Sequence, residues 1–143
     1  MCNCKNGKSY INFLTPAPGN TAEAASYNLG ITHYTCGNKK MCADSIVSAS
    51  DLNIQALGSP TLIGNGQYCC DIRVLCTIIY QPLCPCECMK SEILAVDLCV
   101  PCGESISGIV ANGAIASPVK VGCGCNSTNE VSLNVSFTVN ATA

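Results

Sequence analysis

The chain has few charged and few aromatic residues. Charged side chains make up 11% of it, aromatic ones 5%, and there is no tryptophan. Nine acidic against seven basic residues leave a net charge of −2, and the lysines and arginines are scattered along the chain. Nucleic-acid-binding domains carry a basic patch or stripe. This composition therefore predicts no nucleic-acid partner, and so sparse a charge favours a surface that faces other protein.

Long apolar runs are also missing. No stretch approaches the roughly 18 apolar residues of a membrane helix, so we expect no membrane partner. The N-terminal sequence Met-Cys-Asn-Cys-Lys-Asn-Gly-Lys lacks the apolar core of a secretory signal peptide. We therefore expect synthesis in a cytosol without a signal peptide, followed by oxidation of the thiols after release or assembly.

Motifs for catalysis are absent too. The sequence has no Gly-x-Ser-x-Gly, no phosphate loop and no dinucleotide fingerprint. Cys99-Val-Pro-Cys102 has the spacing of a thioredoxin-type site, but such a site needs a helix after it, and residues 103–108 are rich in glycine and serine. We expect that the protein is not an enzyme and that it carries no cofactor.

Cysteine is what the chain has in abundance. Fourteen cysteines among 143 residues fall in the range where short chains rely on disulfides or metal. Neighbours at Cys69-Cys70 are too close for an unstrained disulfide, since consecutive Cα atoms are about 3.8 Å apart and a disulfide prefers roughly 4.4–6.8 Å. Most of the thiols should therefore pair with distant partners in this chain or the next, or share a metal.

Alternation of apolar and polar residues predicts strands. The clearest runs from residue 131 to 141, where apolar residues at odd positions alternate with serine, threonine and asparagine. Residues 69–80 and 92–100 are two further strands, joined as a long hairpin or a corner through the segment rich in proline and cysteine at 82–88. Thr21–Asn28 could form two turns of helix.

These patterns predict an all-β fold. We expect a single antiparallel β-sandwich, jelly-roll-like, spanning residues 21–143. Residues 1–20 carry Cys2, Cys4 and the segment Thr15-Pro-Ala-Pro-Gly, which predicts an extended N-terminal arm. A thiol at the free end of an arm is well placed to reach a neighbouring subunit, and a non-closing head-to-tail contact gives filaments or sheets.

Metal binding by the thiols is the first alternative. A structural zinc site needs four nitrogen or sulfur ligands, often as two Cys-x-x-Cys pairs, whereas this chain has one such pair and one histidine. His33, on a candidate strand, is expected to be an ordinary surface or half-buried residue. The patterned core argues against a pure metal-storage protein, so we predict no metal site but keep a thiolate-rich metal-binding module as an alternative.

The chain resembles the cysteine-rich proteins of bacterial spore surfaces. The resemblance lies in the Cys-rich composition, the Met-Cys-x-Cys start, the missing signal peptide and the β-rich body. It is similar to small proteins of the exosporium and spore coat and to subunits of endospore appendage fibres. The resemblance implies subunits that are made in the mother cell, self-assemble and become disulfide cross-linked. Appendage subunits have a jelly-roll body and a connector that typically carries adjacent cysteines, where this chain has Cys2-Asn3-Cys4.

Taken together, we expect a self-assembling structural subunit of a disulfide-cross-linked fibre or surface layer. Its partners would be copies of itself and other spore-surface proteins, on the spore or another extracellular surface. A secreted, internally stapled binding domain is the second alternative. The candidates for intermolecular disulfides are Cys2, Cys4, Cys69, Cys70, Cys84, Cys86, Cys88, Cys123 and Cys125. The candidates for intramolecular disulfides or buried thiols are Cys36, Cys42, Cys76, Cys99 and Cys102.

Overall fold

A computed structural model describes residues 7–21, 23–83, 86–119 and 127–141. In these ranges the chain is built of antiparallel strands with one short 3-10 turn at Cys36–Asn38, which confirms the predicted all-β sandwich. No helix of the described ranges is long and apolar enough to cross a membrane. The strands are β1 (Lys8–Pro16), β2 (Ala24–Tyr34), β3 (Met41–Cys42), β4 (Ser48–Ala56), β5 (Thr61–Gly64), β6 (Gln67–Tyr80), β7 (Lys90–Cys102), β8 (Ile106–Pro118), β9 (Ser127–Thr128) and β10 (Glu130–Ala141).

The first sheet has the strand order β1-β2-β10-β8. Its central strand β10 pairs with β2 on one side and β8 on the other, so that Leu133 lies between Ile31 and Ala116. The alternation predicted for this strand is confirmed. The apolar residues of β10 that face the interior are all buried: Val131, Leu133, Val135, Phe137 and Val139.

The second sheet is organised around the long strand β6. It pairs with β7 from Tyr68 opposite Cys102 to Tyr80 opposite Lys90, so that of the two predicted connections, hairpin or corner, the hairpin is formed. On its other side β6 pairs first with β5 and then with β4. The inward face of β6 is buried as expected, and consists of Cys70, Ile72, Val74, Cys76, Ile78 and Tyr80.

The hydrophobic core fills the space between the two sheets. Side chains from β2 and β10 meet those from β6 and β7, and β4 lies beside β8 at one side of the sandwich. Phe137 is fully buried and stacks on Tyr27 with ring centroids 5.7 Å apart. Truncating such a ring to alanine typically costs about 3–5 kcal/mol of folding free energy, so this stack is a major part of the core.

Two predictions about the N-terminal third are changed by the structure. The helical turns predicted at 21–28 are wrong, because β2 starts at Ala24 and pairs with β10 from that residue onward. Pairing with β10, joined by pairing with β1 from Tyr27 onward, outweighs the weak helix preference of this alanine-containing segment. In the segment predicted as an extended arm, residues 8–16 form β1 and pair with β2 as an edge strand of the first sheet.

Candidate functional site

A group of polar side chains is buried between the two sheets. His33 on β2 is fully buried, so the expectation of a surface or half-buried position is wrong. Its Nε2 donates a hydrogen bond to Glu92 Oε1 on β7 at 2.9 Å, and its Nδ1 lies 2.8 Å from Ser9 Oγ on β1. Three strands from two sheets are thereby joined through one imidazole.

Glu92 is the acceptor at the centre of this group. It also accepts a hydrogen bond from the Tyr80 hydroxyl at 2.6 Å and one from the backbone N–H of Cys36 at 3.0 Å. Burial on its own would raise the pKa of Glu92, but the hydrogen bonds from His33, Tyr80 and Cys36 together hold the pKa below its ordinary value. Burial and the neighbouring carboxylate raise the pKa of Tyr80. The network is therefore built to hold an ionised Glu92 inside the sandwich.

Hydroxyl, imidazole and carboxylate in a chain are also the groups of a serine hydrolase triad. Here Ser9 and His33 lie on the inward face of their strands, and the imidazole has no exposed surface on which a substrate could react. Both carboxylate oxygens of Glu92 are engaged by core groups. We interpret the network as a structural link between the two sheets, because buried polar groups that are fully hydrogen-bonded favour one arrangement of a core.

Several loops meet beside this network, at one end of the sandwich. β1 and β10 both begin opposite Tyr34, the last residue of β2. The loop after β2 is joined to the β6–β7 loop by a bridge between Met41 and Pro82 and by an ion pair in which Lys39 Nζ lies 2.8 Å from a Glu87 carboxylate oxygen. We call this the cysteine end, because the described cysteines Cys36, Cys42, Cys86 and Cys88 lie in these loops and in β3.

The thiols of the cysteine end are in different states. Cys36 is buried and disulfide-bonded, and Cys86 is exposed and disulfide-bonded. Cys42 and Cys88 are exposed free thiols. Large apolar side chains are exposed nearby in the chain, since Ile46, in the loop between β3 and β4, is 85% and Met89, in the β6–β7 loop, 56% accessible to solvent. Free thiols beside exposed apolar side chains give this end a surface suited to covalent contact with protein.

The opposite end of the β6–β7 hairpin holds a second group of cysteines. Cys69 and Cys99 form an intrachain disulfide across the two strands, with Cα atoms 5.7 Å apart. Cys70 and Cys102 lie near it as free thiols, buried and half-buried respectively. Cys76, further along β6, is a buried free thiol whose Sγ lies 3.4 Å from the backbone oxygen of Ser50.

Ligand atoms suited to a metal ion occur together once in the described ranges. The sulfurs of Cys69 and Cys99 and a carboxylate oxygen of Asp71 lie within 4.8 Å of one another. Because the two sulfurs are joined in a disulfide, neither can act as a thiolate ligand in this state. Three donors would also leave a tetrahedral zinc ion one protein ligand short of a closed structural site.

The burial and bonding of the described cysteines can be compared with their predicted roles. Cys69, predicted to link subunits, is paired within the chain, and Cys70, with the same prediction, is buried. Cys42, predicted to be intramolecular or buried, is exposed and free, whereas Cys88 is exposed and free in line with an intermolecular role. Five candidates lie outside the described residues: Cys2, Cys4, Cys84, Cys123 and Cys125.

The buried polar network is not predicted by the sequence pattern. Nothing in the spacing of His33, Tyr80 and Glu92 indicates that they meet. The available signal was the phase of Glu92, which falls on the same face of its predicted strand as Leu94 and Val96, and a carboxylate in such a position needs partners.

Comparison with known proteins leaves the site to be interpreted from its own chemistry. No protein-family model matches the chain, and neither the curated proteins nor the solved structures contain a match.

Proposed function

We propose that the protein is a structural subunit that assembles with copies of itself and is locked by disulfides between subunits. The observation that carries this proposal is the cysteine end, where the exposed free thiols Cys42 and Cys88 share the surface with exposed Ile46, Leu83 and Met89. A chain with 11% charged residues has little charge to keep such a surface from associating.

The N-terminal arm, here the segment that precedes β1, supplies the other half of the proposed link. Cys2 and Cys4 precede β1, which begins at the cysteine end. In the proposed assembly these two thiols form disulfides with a neighbouring subunit. Among the described residues, their proposed partners are Cys88 and Cys42. A subunit held in this way leaves the assembly only after covalent bonds break, so the assembly resists heat and detergent. A fibre or layer on a bacterial spore is the setting in which we place it.

The symmetry of the link decides what is formed. If two subunits exchange arms reciprocally, the contact closes and a dimer results. If each arm bonds to a third copy, the contact stays open and a polymer grows. A denaturing gel separates these cases, since the open contact gives a ladder without reductant and the closed contact a single dimer band.

The test compares three variants after oxidation of the purified full-length protein. Cys2→Ser with Cys4→Ser is expected to abolish the detergent-resistant ladder while the circular dichroism of the sandwich is unchanged. Cys42→Ser with Cys88→Ser is expected to shorten the ladder. Cys76→Ser is the matched control, because its thiol is free but buried in the core, where a neighbouring subunit does not reach it. A full ladder in the arm variant contradicts the proposal.

One observation favours an internally stapled domain as the alternative. The Cys69–Cys99 disulfide shows that bonds within the chain account for part of the cysteine content. If all thiols paired in this way, the oxidised protein would run as a monomer with and without reductant. The gel therefore also distinguishes this alternative from the proposed polymer.

A further inference from the structure

The cysteines at 69, 70, 99 and 102 form two separate pairs on the two faces of one hairpin. Side chains alternate between the faces of a strand, so Cys69 and Cys70 point to opposite sides. The same holds for Cys99 and Cys102, which are an odd number of residues apart. Neither the adjacent pair nor the Cys-x-x-Cys pair can close on itself while both strands stay paired.

The register of β6 and β7 brings each of these cysteines beside one on the other strand. Cys69 lies opposite Pro101, two residues from Cys99, and this outer pair is the disulfide already described. Cys70 lies opposite Val100, two residues from Cys102, and this pair faces the interior. The two inner thiols are both free, and each lies close enough to influence the pKa of the other.

We propose that Cys70 and Cys102 are an oxidation site. They form a second intrachain disulfide when the reduced chain reacts with a small-molecule disulfide of the glutathione type. The hairpin end would then be clamped on both faces, with the outer bond at Cys69–Cys99 and the inner bond at Cys70–Cys102. This inference does not depend on assembly of the protein into a polymer.

The two thiols have different access to an oxidant. Cys102 is half-buried and lines a cavity of about 320 Å³, together with Tyr27, Gly103 and Ile106. Cys70 is fully buried. Tyr27 closes the inner side, where its hydroxyl donates a hydrogen bond to the backbone oxygen of Pro101 at 3.0 Å. Cys102 is therefore the thiol that the oxidant reaches, and Cys70 is the thiol that completes the bond.

The reaction balances in two exchange steps. The Cys102 thiolate attacks one sulfur of oxidised glutathione, which forms a mixed disulfide and releases one glutathione thiolate. The Cys70 thiolate then attacks Cys102 Sγ, forms the protein disulfide and releases the second glutathione. The two protein thiols lose two electrons and two protons, the electrons reduce oxidised glutathione to two molecules of glutathione, and the protons pass to these and to solvent.

Burial makes the first step slow and protects the product. Burial raises the pKa of both thiols, and the pKa of Cys102 is raised further by its neighbour Cys70. A small thiolate fraction lowers the rate of attack at neutral pH. Once the bond is formed, its Cys70 sulfur is screened from reductants, whereas the outer disulfide has the exposed Cys99. The outer bond is therefore expected to be reduced first.

The test follows both pairs in one peptide. The full-length protein is reduced completely, incubated with oxidised glutathione, alkylated and digested without reductant. The peptide containing Cys69 and Cys70 joined to that containing Cys99 and Cys102 should carry no alkylated thiol at these four positions, whereas the outer bond alone leaves two. Persistent alkylation of both Cys70 and Cys102, while the outer bond has closed, overturns the proposal.

Variants separate the two roles. Cys70→Ala is expected to accumulate glutathione on Cys102, because the thiol that resolves the mixed disulfide is missing. In Cys102→Ala, Cys70 is expected to remain free of glutathione. Cys76→Ala is the matched control, a buried thiol on the same face of β6, and should close the inner bond like the unmodified chain. Glutathione on Cys70 in the Cys102→Ala variant contradicts the assignment, and the unmodified chain remains the deciding experiment if a variant fails to fold.

Discussion

His33 on β2 and Glu92 on β7 meet inside the sandwich, with Nε2 and Oε1 2.9 Å apart, and this contact joins the two sheets through the core. Tyr80 donates to the other carboxylate oxygen. The backbone N–H of Cys36, at the start of the loop that leads to Cys42, donates to the same oxygen as His33. The loop that begins at Cys36 is thus anchored to a buried carboxylate.

Acid is expected to destabilise the protein through Glu92. The pKa of Glu92 is held below its ordinary value in the folded state, so ionised Glu92 contributes stability above the pKa of the unfolded chain, about 4.3. That contribution is lost as the pH falls through the lower, folded value. Urea unfolding at pH 7 and at lower pH should show the loss in the unmodified chain.

A variant isolates this effect. Glu92→Gln removes the charge that three donors stabilise, and losing one partner of a buried charged network typically costs about 3–5 kcal/mol. Its stability should respond less to acid than that of the unmodified chain. Glu104→Gln is the matched control at an exposed position, where the change should be within about 0.5 kcal/mol. Equal stability of the two variants at pH 7 would contradict the role given to Glu92.

Adding a methyl group at Gly7 is expected to loosen the start of β1. A Cβ at this position would overlap the backbone carbonyl of Tyr34, which has no freedom to move because β2 is paired on both sides. Overpacking of this kind costs about 1–3 kcal/mol. Gly113→Ala in β8 is the control, since its Cβ meets no atom within 4 Å.

Hydrogen exchange gives the readout for this pair of variants. Gly7→Ala should increase exchange of the β1 amides that pair with β2, whereas Gly113→Ala should leave them protected. Unchanged protection of β1 in Gly7→Ala would mean that the close contact with Tyr34 does not hold the strand in place.

Removing the outer disulfide is expected to lower stability. The bond closes a loop with a sequence separation of 30, for which chain entropy predicts a contribution of about 3–4 kcal/mol, as an upper value. Cys69→Ser with Cys99→Ser should unfold at lower urea concentration than the oxidised protein. Adding reductant should destabilise the unmodified chain by a similar amount and change the variant less. A variant as stable as the oxidised protein would show that hairpin pairing alone supplies the constraint.

The strands with strict alternation could be predicted from the sequence, and the irregular ones could not. In β6 and β10 every inward position is apolar, so the period of two defines both the strand and its buried face. In β2 the residues Ala24, Ala25 and Ser26 carry a weak signal, and strand formation there depends on pairing with β10. That pairing is a tertiary effect that local sequence does not contain.

The cysteine pairing was harder to predict than the fold. Fourteen thiols allow many connectivities, and Cys69 is matched to Cys99 only by the register of β6 against β7. The exposure of Cys42 likewise depends on the loops at the cysteine end. The sequence predicts a surface or half-buried His33, because there is no second histidine to complete a zinc site, whereas its partners Ser9 and Glu92 come from two other strands.

The most direct test of the central claim is to ask whether the arm bonds to another subunit. Equal amounts of unlabelled and heavy-nitrogen-labelled protein are mixed in reductant and oxidised together, and disulfide-linked peptides are identified by mass spectrometry. The account predicts that links containing Cys2 or Cys4 include peptide pairs with one labelled and one unlabelled member. If every link containing Cys2 or Cys4 joins peptides of the same label, the arm bonds within its own chain and the account of a covalent polymer is contradicted.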